Sequence, residues 1–187
     1  MMKTRQILLL TVLLTITTSV HSQGTKEITR KGFVFAAGIG GGVHLSEGTA
    51  YGRFTVPNLK IGAMLNPKLG VMLYAPGGSS TLDDEERAFE GFIPTAQYWF
   101  TDKFYVNAGA GVAIETTPFY RVDFSQGPPE FNAGLGFTVS AGHEIIQWSE
   151  NKTIDVQLRL LYGNITYQDQ SKKDHLAIDL ILGFNLY

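Results

Sequence analysis

The sequence predicts an all-β fold: an eight-stranded antiparallel up-and-down transmembrane β-barrel. Three observations carry that prediction. From about residue 32 of the 187-residue chain, apolar residues recur with a period of two and nowhere convincingly with the 3.6-residue period of a helix. Charged residues make up only 17% of the chain, against about a quarter in an ordinary water-soluble domain. The connections between alternating segments run short and long in turn, as they do in membrane barrels.

The first 22 residues read as a secretory signal. Lys3 and Arg5 precede an apolar run over 7–20, and Val20 and Ser22 stand at positions −3 and −1 of a cleavage site between Ser22 and Gln23. The run is about 14 residues long, short of the ~20 that a spanning helix needs. Past Gln23 no window of 18 apolar residues occurs, so a membrane-resident mature chain has to cross as strands. Residues 23–31 then read as a periplasmic tether and 32–187 as the barrel domain.

Strand one is expected over about 33–45, with Phe33, Phe35, Ile39 and Val43 on one face and glycines on the other. Strand two covers about 50–65 and strand three 68–76. Strand four covers 89–100, with Phe92, Ala96, Tyr98 and Phe100 on one side. Pro57 and Pro94 cannot donate to a ladder and mark bulges or irregular strand ends. Strand five alternates Phe104, Val106 and Val112 with Tyr105, Asn107 and Glu115, and strand six alternates Phe131, Leu135 and Phe137 with Asn132, Thr138 and Ser140. Strand seven sets Ile154, Val156, Leu158 and Leu160 against Asp155, Gln157 and Arg159. Strand eight sets Leu176, Ile178, Leu180 and Leu182 against His175 and Asp179.

Tight turns are expected at 66–67, 101–103 and 149–152. Longer connections follow strands one, three, five and seven, including 77–87, 116–129 and 168–174. The stretch 77–87 carries the run Asp83, Asp84, Glu85, Glu86 and Arg87. There, a helical turn over 81–89 competes with an extended solvated loop. Short turns below and long loops above place both chain ends on the periplasmic side.

Alternation alone also fits a soluble calyx with its apolar set inside. A water-facing surface would be rich in Lys and Glu, but the polar set is mainly Gly, Ala, Asn, Thr and Ser. The aromatics fall into two girdles: Phe33, Phe100, Phe104, Trp148 and Phe184 near the periplasmic rim, and Tyr51, Tyr74, Phe92, Phe131 and Tyr162 near the outer one. Arg159 fixes the facing of strand seven, because a mid-strand arginine on the lipid face costs roughly 2–4 kcal/mol. Turned inward it can pair with Asp155 or Asp179, which puts Leu158 and Leu160 outside. Asp155, Gln157, Arg159 and Asp179 are thus expected as a polar plug in a lumen just wide enough for its own side chains.

Residues 97–109 join an aromatic strand end (Gln97, Tyr98, Trp99, Phe100), a tight turn (Thr101, Asp102, Lys103) and a return that ends in Gly109. The last strand ends in Tyr187. In these features the chain resembles, over about 32–187, the broad family of small outer-membrane β-barrel domains of Gram-negative bacteria. The resemblance implies an outer-membrane location in contact with lipid. It also implies periplasmic chaperones and the barrel-insertion machinery as partners, the final aromatic strand being similar to the signal that machinery reads. Tyr187 departs from the pattern: it shares a face with Asp179 and Asn185, whereas the family usually turns its terminal aromatic to lipid.

Cysteine is absent, which excludes disulfides, thiolate metal sites and lipidated cysteine anchors. A net charge of −2 without a basic stripe excludes a nucleic-acid footprint. The glycines at 38 and 40–42 lie inside a strand with no helix after them, so they lack the context of a phosphate loop. His44, His143 and His175 show no metal-ligand spacing, and no cofactor is expected. Asn164, Ile165 and Thr166 match a glycosylation pattern that has no force in a bacterial envelope protein. Ser140, His143 and Glu144 suggest a hydrolase, but Ser140 and His143 fall on opposite faces of a regular strand. The expectation is a non-enzymatic outer-membrane barrel, structural, adhesive or binding an unknown ligand through its outer loops. A barrel that passes or binds a small ligand is the alternative, and an outer-leaflet lipid esterase a more distant one.

Overall fold

The computed structural model describes residues 28–82, 85–122 and 130–187. The expected signal segment, with Ser22 and Gln23, lies outside the described residues. Ten elements follow: β1 (Gly32–Ser46), β2 (Thr49–Asn66), β3 (Leu69–Pro76), β4 (Ser79–Leu82), β5 (Glu85–Trp99), β6 (Phe104–Thr116), a 3-10 turn (Phe119–Arg121), β7 (Phe131–Ser149), β8 (Lys152–Thr166) and β9 (Lys172–Leu186). Every ladder is antiparallel, and β1 pairs with both β2 and β9, which closes the ring. β3 and β4 share one place in it, both lying between β2 and β5. The nine strands therefore make an eight-stave barrel, and among the described residues closure leaves no strand without a neighbour on each side.

The stretch expected as the loop 77–87 is a hairpin instead. Ser79 pairs with Ala88 and Leu82 with Glu85, extending the barrel wall past the break at Gly77 and Gly78. The run of charges concealed the start of β5, where Glu85, Glu86 and Arg87 stand opposite Leu82, Thr81 and Ser80 of β4. At the break, a Cβ on Gly78 would lie 2.6 Å from Nε of Arg53, so glycine leaves room for that guanidinium.

The strict short–long alternation also fails at one position. β1 and β2 are joined by Glu47 and Gly48 alone, both at positive φ (50° and 82°), as a tight hairpin turn requires. The longest connection at that end, which we call the loop end, is 117–130. The opposite end, with turns after β2, β5 and β7, is the turn end.

Alternation sorts the side chains as the sequence pattern predicts. On β8 the set Thr153, Asp155, Gln157, Arg159 and Leu161 is buried, while Leu158 and Leu160 are 55% and 44% exposed. Phe33, Ile39, Phe54, Phe92, Leu135, Leu180 and Leu182 are likewise exposed, a continuous apolar exterior far beyond what a water-soluble monomer shows. Trp148, Phe100 and Phe104 sit at the turn-end rim and Phe131 at the loop-end rim.

Two of the expected rim aromatics belong inside. Tyr74 is 1% exposed, and Tyr51 stands opposite inward-facing His44. β3 is apolar on both faces, so its pattern held no preference; the buried arginine that Tyr74 serves decides its facing.

Candidate functional site: the filled lumen and the loop end

The four residues expected in the luminal plug all lie inside, but they divide between two clusters. Arg159 stands opposite Asp179 in the β8–β9 register. Its Nη2 and Nε donate to Asp179 Oδ2 at 2.5 and 3.1 Å, and its Nη1 donates to the Tyr74 hydroxyl at 2.9 Å and to Asn58 Oδ1. A second guanidinium, Arg53 of β2, approaches the other oxygen of Asp179 at 3.2 Å. Asp155 lies nearer the turn end and does not meet Arg159. It accepts instead from Gln157 Nε2 at 3.0 Å, from Asn185 Nδ2 at 2.9 Å and from the Tyr105 hydroxyl. Between the clusters, Lys60 Nζ donates to Gln157 at 3.0 Å and Gln97 at 3.2 Å, and stands over the rings of Tyr74 and Tyr105.

Sequence reading missed Arg53 and Lys60 for an identifiable reason. Their positions have opposite parity, so a regular strand would send one of them to lipid. The β1–β2 register, however, steps from Gly38–Asn58 to Gly40–Thr55, setting Val56 and Pro57 against Ile39 alone. This bulge flips the alternation, and both cations point inward. The cost of a lipid-facing cation applied to Arg53 and Lys60 together, with Pro57 between them, was the signal that could have found it.

At the turn end Ile28–Lys31, part of the expected tether, runs across the barrel mouth. Thr29 N donates to Glu150 O at 2.7 Å, and the Arg30 side chain is buried with Nη2 2.7 Å from Glu144 Oε2. Its guanidinium lies 4.9 and 5.5 Å from the ring centres of Trp99 and Tyr187. Glu144 also accepts from Trp99 Nε1 at 3.2 Å and from the Tyr187 hydroxyl at 2.6 Å. Tyr187 therefore faces inward because its hydroxyl serves a buried carboxylate. With Glu144 committed here, Ser140 buried in the lumen and His143 exposed on the outer wall, no hydrolytic triad assembles.

At the loop end two histidines far apart in sequence meet. His44 Nε2 is 2.9 Å from His175 Nδ1, and His44 stacks on Phe89 with ring centres 5.1 Å apart. Ser80 lies 2.8 Å from His44 Nδ1, and the Tyr167 hydroxyl lies 3.0 Å from His175 Nε2 and bonds Glu115.

Above them is a hollow of about 570 Å³ lined by Thr81, Glu85, Glu86, Arg87, Thr117, Arg121 and Glu130. Arg87 pairs with Glu85 and Glu130 at 2.8 Å each, and Arg121 with Glu86 at 2.8 Å. Burial, and then its bond to Glu86, raise the Tyr120 phenol above its usual value. In the loop after β8, the Ser171 hydroxyl and backbone N–H hold the Asp169 carboxyl below its own. Among the described residues no cluster of His, Asp and Glu is arranged to hold a metal ion.

No family model and no curated protein sequence matches the chain. Solved structures do. Neisserial surface protein A aligns with a TM-score of 0.64 at 16% identity, over 83% of this chain and 96% of that one. Ail, the attachment invasion locus protein of Yersinia pestis, aligns with a TM-score of 0.52 at 13% identity, over 84% of this chain and 100% of that one. Identities this low speak to architecture alone. In architecture, the chain is similar to the small eight-stranded outer-membrane β-barrel proteins of bacteria.

Proposed function

We propose that this protein is an integral outer-membrane barrel, closed to diffusion, that acts at the cell surface as a structural or adhesive element through its loop end. The observation that carries the reading is the occupation of the lumen at three heights inside an apolar exterior. Arg30, Glu144, Trp99 and Tyr187 fill the turn end; Arg53, Asp179, Arg159 and Lys60 fill the middle; His44, His175 and Phe89 fill the loop end. An aqueous path through such a lumen would have to separate buried ion pairs, at several kcal/mol for each ion left unpaired. In this reading the turn end faces the periplasm, where chaperones deliver the chain to the insertion machinery. The charged hollow at the loop end is the surface offered to a ligand.

The test has two arms. The mature chain should sediment with outer membranes and change electrophoretic mobility on boiling. Reconstituted in planar bilayers, it should give no conductance steps of open-pore size. Recovery in the soluble periplasmic fraction removes the membrane reading, and stable open-pore steps remove the closed lumen.

One feature favours a second reading, the binding of a small apolar ligand at the barrel wall. Where the β1–β2 ladder breaks, an outer groove of about 330 Å³ is lined by Ile39, Val56, Pro57, Leu59, Leu182 and Phe184 among others. Tryptophan fluorescence of an Ile39→Trp variant should then be quenched saturably by a brominated alkyl ligand. Quenching that only rises linearly would show ordinary lipid contact.

A further inference from the structure

The hydrogen bonds at the loop end form a chain whose direction can be assigned from one terminus. The Tyr167 hydroxyl, with its single proton, donates to Glu115 Oε2. Its oxygen is then the acceptor for His175 Nε2 at 3.0 Å, so His175 carries its proton on Nε2 and leaves Nδ1 bare. His44 Nε2, 2.9 Å from that bare nitrogen, must donate to it, which leaves His44 Nδ1 to accept from Ser80 at 2.8 Å. Donation thus runs one way, from Ser80 through His44, His175 and Tyr167 to Glu115. It links five side chains from β4, β1, β9, the β8–β9 loop and β6.

We propose that this chain is a one-proton binding site and relay, which accepts a proton at Ser80 and lodges it on Glu115 by reversing all four bonds. The balance is simple. The incoming proton binds Ser80 Oγ, and the serine's own proton passes to His44 Nδ1. His44 releases its Nε2 proton to His175 Nδ1, and His175 releases its Nε2 proton to Tyr167. The phenolic proton of Tyr167 passes to Glu115. One proton enters, Glu115 becomes a neutral acid that donates back to Tyr167, and both imidazoles end neutral in the opposite tautomer.

The surroundings favour reversal over charging a ring. Both histidines are fully buried and pack on Phe89, and the Arg53 guanidinium stands over that same ring, 5.8 Å from its centre. An imidazolium at His44 would be desolvated and would face a fixed cation. At His175 the facing carboxylate oxygen, Glu115 Oε2 at 3.4 Å from Nε2, already accepts from Tyr167. Lys173, over the Tyr167 ring at 5.2 Å, is matched by Glu47 at 2.8 Å. Glu115 ends the chain and receives the proton from Tyr167. Its neighbour Arg87 is 4.0 Å away and keeps Glu85 and Glu130 at 2.8 Å when Glu115 is neutralised. Protonation would thereby loosen the link between the wall at Glu115 and the charged hollow above it. The relay depends on the barrel fold and is independent of any adhesive role.

The test is ¹⁵N NMR of histidine-labelled mature protein folded in detergent micelles, followed from mildly alkaline to acid pH. At the alkaline end His44 and His175 should both carry a proton on Nε2 only. On acidification both should move to Nδ1 only, at one shared midpoint and with no imidazolium signal. Glu115→Gln should abolish the shared transition while keeping the heat-dependent mobility shift of the folded barrel. Should that variant not fold, Tyr167→Phe, which interrupts the chain in a surface loop, should uncouple the two histidines. Imidazolium formation at either ring, the opposite tautomers at alkaline pH, or a shared transition that survives the interrupting variant would each overturn the relay.

Discussion

Arg159 and Asp179 stand directly opposite each other on β8 and β9 and are joined by two bonds to one carboxylate oxygen, at 2.5 and 3.1 Å. The other oxygen faces Arg53 at 3.2 Å, so a single acid answers two buried guanidinium groups. Asp179→Ala therefore leaves two cations without their counter-ion. It should lower stability by about 3–5 kcal/mol, read from urea unfolding in detergent or bilayers. A loss below about 1 kcal/mol, the scale of an exposed pair, would mean that the cluster is not held together by charge.

The turn-end closure can be tested at Arg30. Arg30→Ala withdraws the cation from Glu144, which keeps Trp99 Nε1 and the Tyr187 hydroxyl. The expected cost is roughly 1–3 kcal/mol, that of a buried polar group deprived of a partner. Trp99 fluorescence should shift as the mouth hydrates. An unchanged spectrum and unchanged stability would show that Ile28–Lys31 contributes nothing to the seal.

The exterior makes a simpler prediction. Leu158 faces outward at mid-strand beside inward-facing Arg159. Leu158→Arg should cost roughly 2–4 kcal/mol in refolding into lipid vesicles. If the protein were a soluble calyx, the same substitution would be nearly neutral and would improve solubility.

Gly78 tests the packing around Arg53. A Cβ there would lie 2.6 Å from Arg53 Nε and 2.8 Å from its Cζ, so Gly78→Ala must displace the guanidinium. Overpacking of this kind typically costs 1–3 kcal/mol. Unfolding measurements on Gly78→Ala, on Arg53→Ala and on the double variant should be non-additive, the second change relieving the first. Strict additivity would place the strain elsewhere.

The staves that a sequence can read are those where one face is wholly apolar and the other wholly polar. β8 and β9 come nearest to that condition, with Leu161, Ile165 and Ile181 as apolar exceptions on the inner face, and their facing followed from Arg159 alone. β3 does not, because Val71, Leu73, Met72 and Tyr74 are apolar on both sides, and Tyr74 was assigned to the wrong surface. β4 and the start of β5 were hidden because short polar residues followed by Glu85, Glu86 and Arg87 resemble a solvated loop until their cross-strand partners are known.

The His44–His175 contact was beyond reach for a different reason. The pair is separated by 131 residues and meets where the first stave closes on the last. That register is set by the whole circumference of the barrel and by no local spacing. The polar plug was legible as a set of inward residues, but its pairing was not, since Asp155 and Asp179 are equally plausible partners on parity alone.

The bulge that sets Val56 and Pro57 against Ile39 behaves as a frame correction in the wall. Removing one residue from that pair would restore a regular ladder and, in doing so, turn either Arg53 or Asn58 and Lys60 outward toward lipid. A single-residue deletion at this point should thus be more damaging than the loss of several residues from the connection at 117–130. The chain's tolerance to insertion and deletion is unevenly distributed, and its least forgiving position is one where strand pairing looks weakest.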